Sequence, residues 1–243
     1  MYSVKNGSNE RQSMHTADSV RPMTVLKSKP KIEPPNTKEG RRQRIIQAAR
    51  QLMGDHGFEA LSLRKLAEAA NVTVPTIYNL IGSKEKILIE LIRSWIDQVE
   101  EALDRIDENQ PLKLAEAVIT EAVGLIAQDE SYFRAAHLAL QHLKQAGHMR
   151  EDLDLFAEKA TAMQARAVGL AQQQGLLRGD ISAETLGRHI YHNYSVASQG
   201  WAYGTHDLAE FRLIALTGVY LHFLSDATEE FRPQILSKLQ KLS

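Results

Sequence analysis

From residue 38 onward, apolar residues return at spacings of three and four, and no long stretch alternates apolar and polar in the rhythm of a half-buried strand. The pattern predicts an all-α chain. A first helix runs from Thr37 or Lys38 to Asp55, with Ile45, Ala48, Ala49 and Leu52 on one face. Gly57 then supplies the left-handed conformation that ends it, and Phe58 folds back onto the same core. A second helix opens with Ser62 as N-cap and turns Leu63, Leu66, Ala67 and Ala70 inward before the chain turns through Asn71–Thr73. The third is short: the Thr73 hydroxyl can accept from the Thr76 backbone N–H, Pro75 fits the first turn, and Ile77 faces the core beside Leu80 or Ile81. A fourth starts after Gly82 with Ser83 as cap, and its stripe of Ile87, Leu88, Leu91, Ile92, Trp95, Ile96 and Val99 outlasts the small module, which makes it a rigid connector. Further helices are expected over 111–127, 130–146, 151–174, 182–202 and 207–225, with a short tail from Arg232.

Two short helices separated by a three-residue break form the pattern of a helix-turn-helix, in which the second helix enters the major groove of DNA. Val74, Pro75, Thr76, Tyr78 and Asn79 cannot all be buried in one short helix, so several must face outward. Val74 and Pro75 suit thymine methyls, Thr76 a phosphate or base edge, and Asn79 an adenine, while the Tyr78 hydroxyl fixes register on the backbone. Lys84 stands where free backbone N–H groups and an ammonium together can clamp a phosphate. Arg41, Arg42 and Arg44 at the start of the first helix, and Lys65 on the second, can hold neighbouring phosphates; Thr73 completes the set. For each cation the plain alternative is a solvated surface charge, and for Tyr78 a packing aromatic.

Charge sharpens this division. The whole chain carries −1, but residues 38–94 hold ten basic and six acidic groups, the preceding residues 1–37 are at +3, and residues 95–243 are at −8. A basic front and acidic back suit a protein that sets only its N-terminal part against phosphates. The expected organisation is a disordered basic arm over 1–37, rich in Ser, Asn, Lys and Pro, a DNA-binding domain over 38–94, and a helical effector-binding and dimerisation domain over 95–243. The chain has no cysteine, which removes disulfides and thiolate chemistry, and no run of 18 apolar residues, so a cytoplasmic protein without membrane contact is expected.

The stretch IIQAARQLMGDHGFEALSLRKLAEAANVTVPTIYNLIGSKEKIL combines an aliphatic-alanine helix, Gly57-Phe58, Leu61-Ser62-Leu63 before Leu66-Ala67, then Val72, Thr76, Ile77, Tyr78 and Ser83-Lys84-Glu85. In that combination residues 41–88 resemble the N-terminal domain of tetracycline-repressor-like (TetR family) transcriptional regulators. The resemblance implies a two-domain, all-helical homodimer whose C-terminal domain binds a small molecule. It also implies DNA contact by Thr76 and Tyr78 and phosphate binding by Lys84. Leu80-Ile81-Gly82 departs from it: the family commonly has histidine or tyrosine followed by phenylalanine, and Leu80 cannot donate to a phosphate.

An effector site needs an apolar cavity between helices with a few orienting polar groups. Tyr132, Phe133, His137, Phe156, Met163, Tyr191, Tyr194 and Trp201 are the candidate lining, with His142 and His192 beside them, although such residues at helical spacing more often serve core packing. His189 and His192 are i, i+3 and could chelate only if a carboxylate joined them, so no metal is expected. No cofactor and no catalytic residue is expected either. Small residues Gly187, Ala197, Ser198, Ala215 and Gly218, set between Ile190, Tyr194, Leu213, Leu216, Val219, Tyr220 and Phe223, form stripes that suit a two-fold four-helix dimer interface. The expected partners are thus a palindromic double-stranded operator, a second copy of the chain and a small effector that releases a repressor from that operator. A helical enzyme and a protein-interaction module are the alternatives; both leave the basic first module unexplained.

Overall fold

The computed structural model describes residues 37–147 and 149–242 as ten α-helices. The expected arm over 1–37 lies outside the described residues but for Thr37, whose side chain caps the first helix by accepting from the Gly40 N–H at 3.0 Å. In order the helices are α1 (Lys38–Ala60), α2 (Leu63–Ala69), α3 (Val74–Leu80), α4 (Lys84–Leu103), α5 (Pro111–Gln128), α6 (Glu130–Gln145), α7 (Arg150–Gln173), α8 (Ala183–Ala202), α9 (Leu208–Ser225) and α10 (Arg232–Gln240). No strand occurs among the described residues, only an isolated bridge between Leu177 and Ala227.

Local chemistry sets the joints. Gly57 takes φ +77°, a conformation costly for a residue with a Cβ, and kinks α1 so that Phe58 turns into the core. Helical hydrogen bonding resumes beyond it to Ala60, five residues past the stop expected at Asp55. Ser62, Thr73 and Ser83 accept from the N–H groups of Lys65, Thr76 and Lys86, each satisfying a donor that the helix itself leaves unpaired.

Helices α1, α2 and α3 close on Ile45, Ala49, Met53, Leu66 and Ile77, all but inaccessible, and α4 completes that core with Ile87 and Leu88. The same α4 continues into the larger bundle, where Leu91, Ile92, Ile96, Val99 and Leu103 are buried. There α7 packs along α8, α8 on α9, α5 against α7 and α9, and α10 on α9, while α1 rests on α6. Helices α7 and α8 approach closely: a Cβ on Gly187 would lie 2.6 Å from the Ala165 backbone nitrogen. Asp226, fully buried, accepts from the N–H groups of Gly179 and Asp180 at 2.9 and 3.1 Å and ties the α7–α8 loop to the end of α9. By length and composition α9 alone among the described helices could cross a membrane; its Phe211, Ala215, Val219 and Phe223 are buried against neighbouring helices.

Candidate DNA-reading head and effector cavity

Helix α3 presents its polar and small residues at the surface because only Ile77 is needed inside. Pro75, Tyr78 and Asn79 are exposed, Tyr78 by 58%, with Thr73 beside them, whereas Val74 and Thr76 are half-buried. The Thr73 and Thr76 hydroxyls lie 2.9 Å apart, so the cap also orients the Thr76 side chain. Lys65 is exposed on α2.

The cations around α3 differ in how they are held. Arg42 donates to the Leu80 carbonyl at 2.7 Å and pairs with Glu90 at 2.5 Å, so it locks the end of α3 to α1 and α4. Arg44 donates to the Ala70 carbonyl at 3.4 Å, bracing the turn between α2 and α3. Arg41 sits half-buried in the first turn of α1. Lys84 lies with its ammonium 4.2 Å from the Phe58 ring centre, 3.5 Å from the Glu59 carbonyl oxygen and 3.9 Å from the Glu59 carboxylate. Arg42 and Lys84 are thus structural ties as well as positive charges, a duty the spacing of basic residues alone does not reveal. Position 80 offers no donor, yet the Arg42 guanidinium stands against its carbonyl.

The larger bundle holds a partly open cavity of ≈110 Å³. Helix α4 supplies Ile92, Trp95, Ile96 and Val99; α5 supplies Val118, Ile119 and Ala122; α6 supplies His137, Leu140 and Gln141; α7 supplies Phe156, Ala160, Met163 and Gln164; and α8 supplies Tyr191, Tyr194, Ser195 and Ser198. No Asp, Glu, Lys or Arg lines it. Burial holds the His137 imidazole below its ordinary range and pushes the Tyr191 and Tyr194 phenols upward, so its titratable groups are uncharged at neutral pH. His137 Nδ1–H donates to the Phe133 carbonyl at 3.0 Å. Three buried polar atoms of lining residues have no hydrogen-bond partner: Trp95 Nε1, Gln164 Oε1 and Tyr194 OH.

Five expected lining residues meet here: His137, Phe156, Met163, Tyr191 and Tyr194. Three do not. Tyr132 and Phe133 face α1, where the Arg50 guanidinium lies 4.8 and 5.6 Å from their ring centres and pairs with Asp129 at 3.1 Å. Trp201 is fully buried one layer away, its Nε1–H donating to Glu130 at 3.1 Å and its ring 5.5 Å from His137. Trp95 and Gln164, not foreseen as lining, supply two of the unpaired atoms. Gln164 had a visible signal: it shares a helical face with Phe156, Ala160, Met163 and Ala167 and is only 2% exposed.

The small-residue stripes are also reassigned. Gly187, Ile190, Ala197, Ser198, Ala215, Leu216, Gly218, Val219, Tyr220 and Phe223 are buried inside the chain, where they let α7, α8 and α9 approach one another. Of the expected stripe Leu213 stays exposed (39%), and the other large apolar side chains that α8 and α9 leave at the surface are Val196 (69%) and Leu221 (52%). His189 has His192 and His222 as ring neighbours at 6.2 and 6.0 Å rather than a carboxylate, and among the described residues no group of three His, Cys, Asp or Glu is placed to hold a metal.

A family model described as "Bacterial regulatory proteins, tetR family" matches residues 45–91, which span α1 from Ile45 through α3 into α4. The HTH-type transcriptional repressor KstR of Rhodococcus jostii is 26% identical over 94 residues, 39% of this chain and 44% of its own length. The HTH-type transcriptional repressor AcnR of Corynebacterium efficiens is 26% identical over 156 residues, 62% of this chain and 74% of its own length. This chain therefore spans less than half of the first relative and about three quarters of the second. Among solved structures, the transcriptional regulator FadR from Bacillus subtilis in complex with stearoyl-CoA superposes with a TM-score of 0.58 at 20% identity, over 73% of this chain and 97% of that one. At that identity the likeness is one of fold.

Proposed function

We propose that the chain, whose residues 45–91 match the tetR family of bacterial regulatory proteins, is a sequence-specific DNA-binding transcriptional repressor, released from a palindromic operator by a small molecule. The observation that carries this reading is the continuity of α4. It starts directly behind the reading helix, at Lys84, and its Trp95, Ile96 and Val99 form one wall of the cavity. A molecule entering the cavity pushes on the same rigid rod that seats α3.

In this reading residues 38–94 are the DNA-binding domain and 95–243 the effector and dimerisation domain, with α4 passing through both. Pro75, Thr76, Tyr78 and Asn79 meet the major groove, Thr73 and Val74 support them at its edge, and Lys65, Lys84 and the α1 arginines Arg41, Arg42 and Arg44 supply the surrounding positive field. Two copies pair through the outer faces of α8 and α9, where Val196, Leu213 and Leu221 lie exposed, and set two reading helices against half-sites ~34–36 Å apart. The protein acts in the cytoplasm, where its DNA is, and has no catalytic duty. Stearoyl-CoA belongs to the FadR neighbour and is not assigned to this chain, whose cavity lacks a lining cation and is smaller than the ~300–1,000 Å³ of most ligand pockets.

Selection from random duplex DNA by the purified full-length protein tests the reading. The expected product is one two-fold symmetric site, bound with an affinity that falls steeply with salt. Recovery of no preferred sequence overturns it.

A further inference from the structure

Three residues that line the cavity carry polar atoms that nothing in the chain pairs, and their chemistry restricts what can fill it. Trp95 Nε1–H can only donate. Gln164 spends its amide N–H on the Ala115 carbonyl at 3.4 Å, which leaves Oε1 as an acceptor. Tyr194 OH can do either. All three are buried without a partner. A buried polar atom left unpaired is costly, and nearly all such atoms in folded proteins are paired by protein, water or ligand, so three on residues around one apolar cavity point to a guest that pairs them.

A guest that satisfies them must both accept and donate. It must also be uncharged, because the lining has no ion to neutralise a buried carboxylate or ammonium and the surrounding titratable groups are themselves neutral. Charges on the α4–α7 seam are paired with one another: Lys159 with Asp97 at 3.3 Å and with Glu100 at 3.9 Å, and Arg93 with Asp152 at 3.9 Å. A hydroxyl is the smallest group that accepts and donates at once. We propose that the effector is a compact, uncharged, largely hydrocarbon molecule carrying a hydroxyl group, an alicyclic alcohol or a phenol, held between Trp95, Gln164 and Tyr194. This rests on the reading of the cavity as the effector site and adds its chemical class.

Trp95 then senses the guest. Its ring lies 5.9 Å from that of Phe133 and 6.1 Å from that of His137, and Phe133 in turn lies under Arg50 of α1. A guest hydrogen-bonded to the indole therefore acts on α4 directly and on α1 through one aromatic neighbour.

Calorimetric titration of the full-length protein with two matched triplets tests the class: 4-methylphenol, toluene and 4-methylbenzoate, then cyclohexanol, cyclohexane and cyclohexanecarboxylate. At least one hydroxylated probe should bind about 10- to 100-fold more tightly than its parent hydrocarbon, the span expected for buried polar atoms gaining partners, and the carboxylates should bind more weakly still. In Gln164→Leu and Trp95→Phe the preference for hydroxyl should shrink; Gln164→Met serves if the leucine variant does not fold. Equal affinity for alcohol and hydrocarbon, tighter binding of a carboxylate, or no binding by any probe overturns the proposal. If the hydroxyl preference is absent while the protein still selects one DNA sequence, the ligand class fails and the DNA reading stands. If no DNA sequence is selected but the hydroxyl preference is present, the reverse holds.

Discussion

Helix α3 and the cavity behind α4 treat polar groups in opposite ways. On α3 the Thr76 N–H has its acceptor in the Thr73 hydroxyl, and Tyr78 and Asn79 wait at the surface where water satisfies them at little cost. In the cavity Trp95, Gln164 and Tyr194 keep polar atoms away from water and unpaired. The head is therefore stable as it stands and reads by exchanging water for DNA. The cavity carries a cost that a guest would relieve, and under the proposed function that difference is the lever for a small molecule.

The contrast can be broken first at its firmest point. Ile77 is fully buried and is the one α3 side chain wholly inside, so Ile77→Ala should lower unfolding stability by about 2–5 kcal/mol, read by chemical denaturation, and abolish specific DNA binding. In the cavity the sign reverses. Gln164→Leu removes an unpaired buried acceptor for a residue of similar bulk, and should raise the stability of the ligand-free protein by about 1–3 kcal/mol. A fall in stability would show that the bond from Gln164 to the Ala115 carbonyl, or a partner of Oε1 in solution, outweighs the unpaired acceptor.

Smaller effects sharpen the picture of the head. Thr76→Ala should weaken binding to the selected site by about 1–3 kcal/mol and relax its sequence preference, measured by anisotropy against single-base variants of the site. Thr73→Ala removes the cap accepting from the Thr76 N–H at 3.3 Å and should cost about 1 kcal/mol of stability, read as a lower denaturation midpoint. Lys84→Ala should weaken all DNA sequences alike and reduce the salt slope by about one.

Most of the fold was legible because amphipathic helices announce themselves by period and cap. Ser62, Thr73, Pro75 and Ser83 sit where the pattern put them, and the α4 stripe is buried as expected save for half-buried Trp95. The helix ends beyond residue 110 fall within two residues of the expected ones. The cavity was half legible. Periodicity says which face of a helix is inside, but not whether that face meets another side chain or a void; Tyr132, Phe133 and Trp201 met side chains. The dimer stripes misled for the same reason, since Gly187 and Gly218 serve close approach equally well within one chain. Glycine 218 faces Asn193, whose amide donates to the Ile214 carbonyl at 3.1 Å. The ties made by Arg42 and Lys84 were hidden because their partners, Leu80, Glu90, Phe58 and Glu59, are set by tertiary packing.

Coupling between cavity and head is the central claim, and it rests on α4 belonging to both. The direct measurement is the affinity of the full-length protein for its selected DNA site, titrated by anisotropy with and without a saturating concentration of a molecule shown calorimetrically to occupy the cavity. The account predicts a loss of about 5- to 150-fold, the range of ordinary coupling energies, with non-specific binding unchanged. An affinity that stays the same with the cavity filled would contradict it.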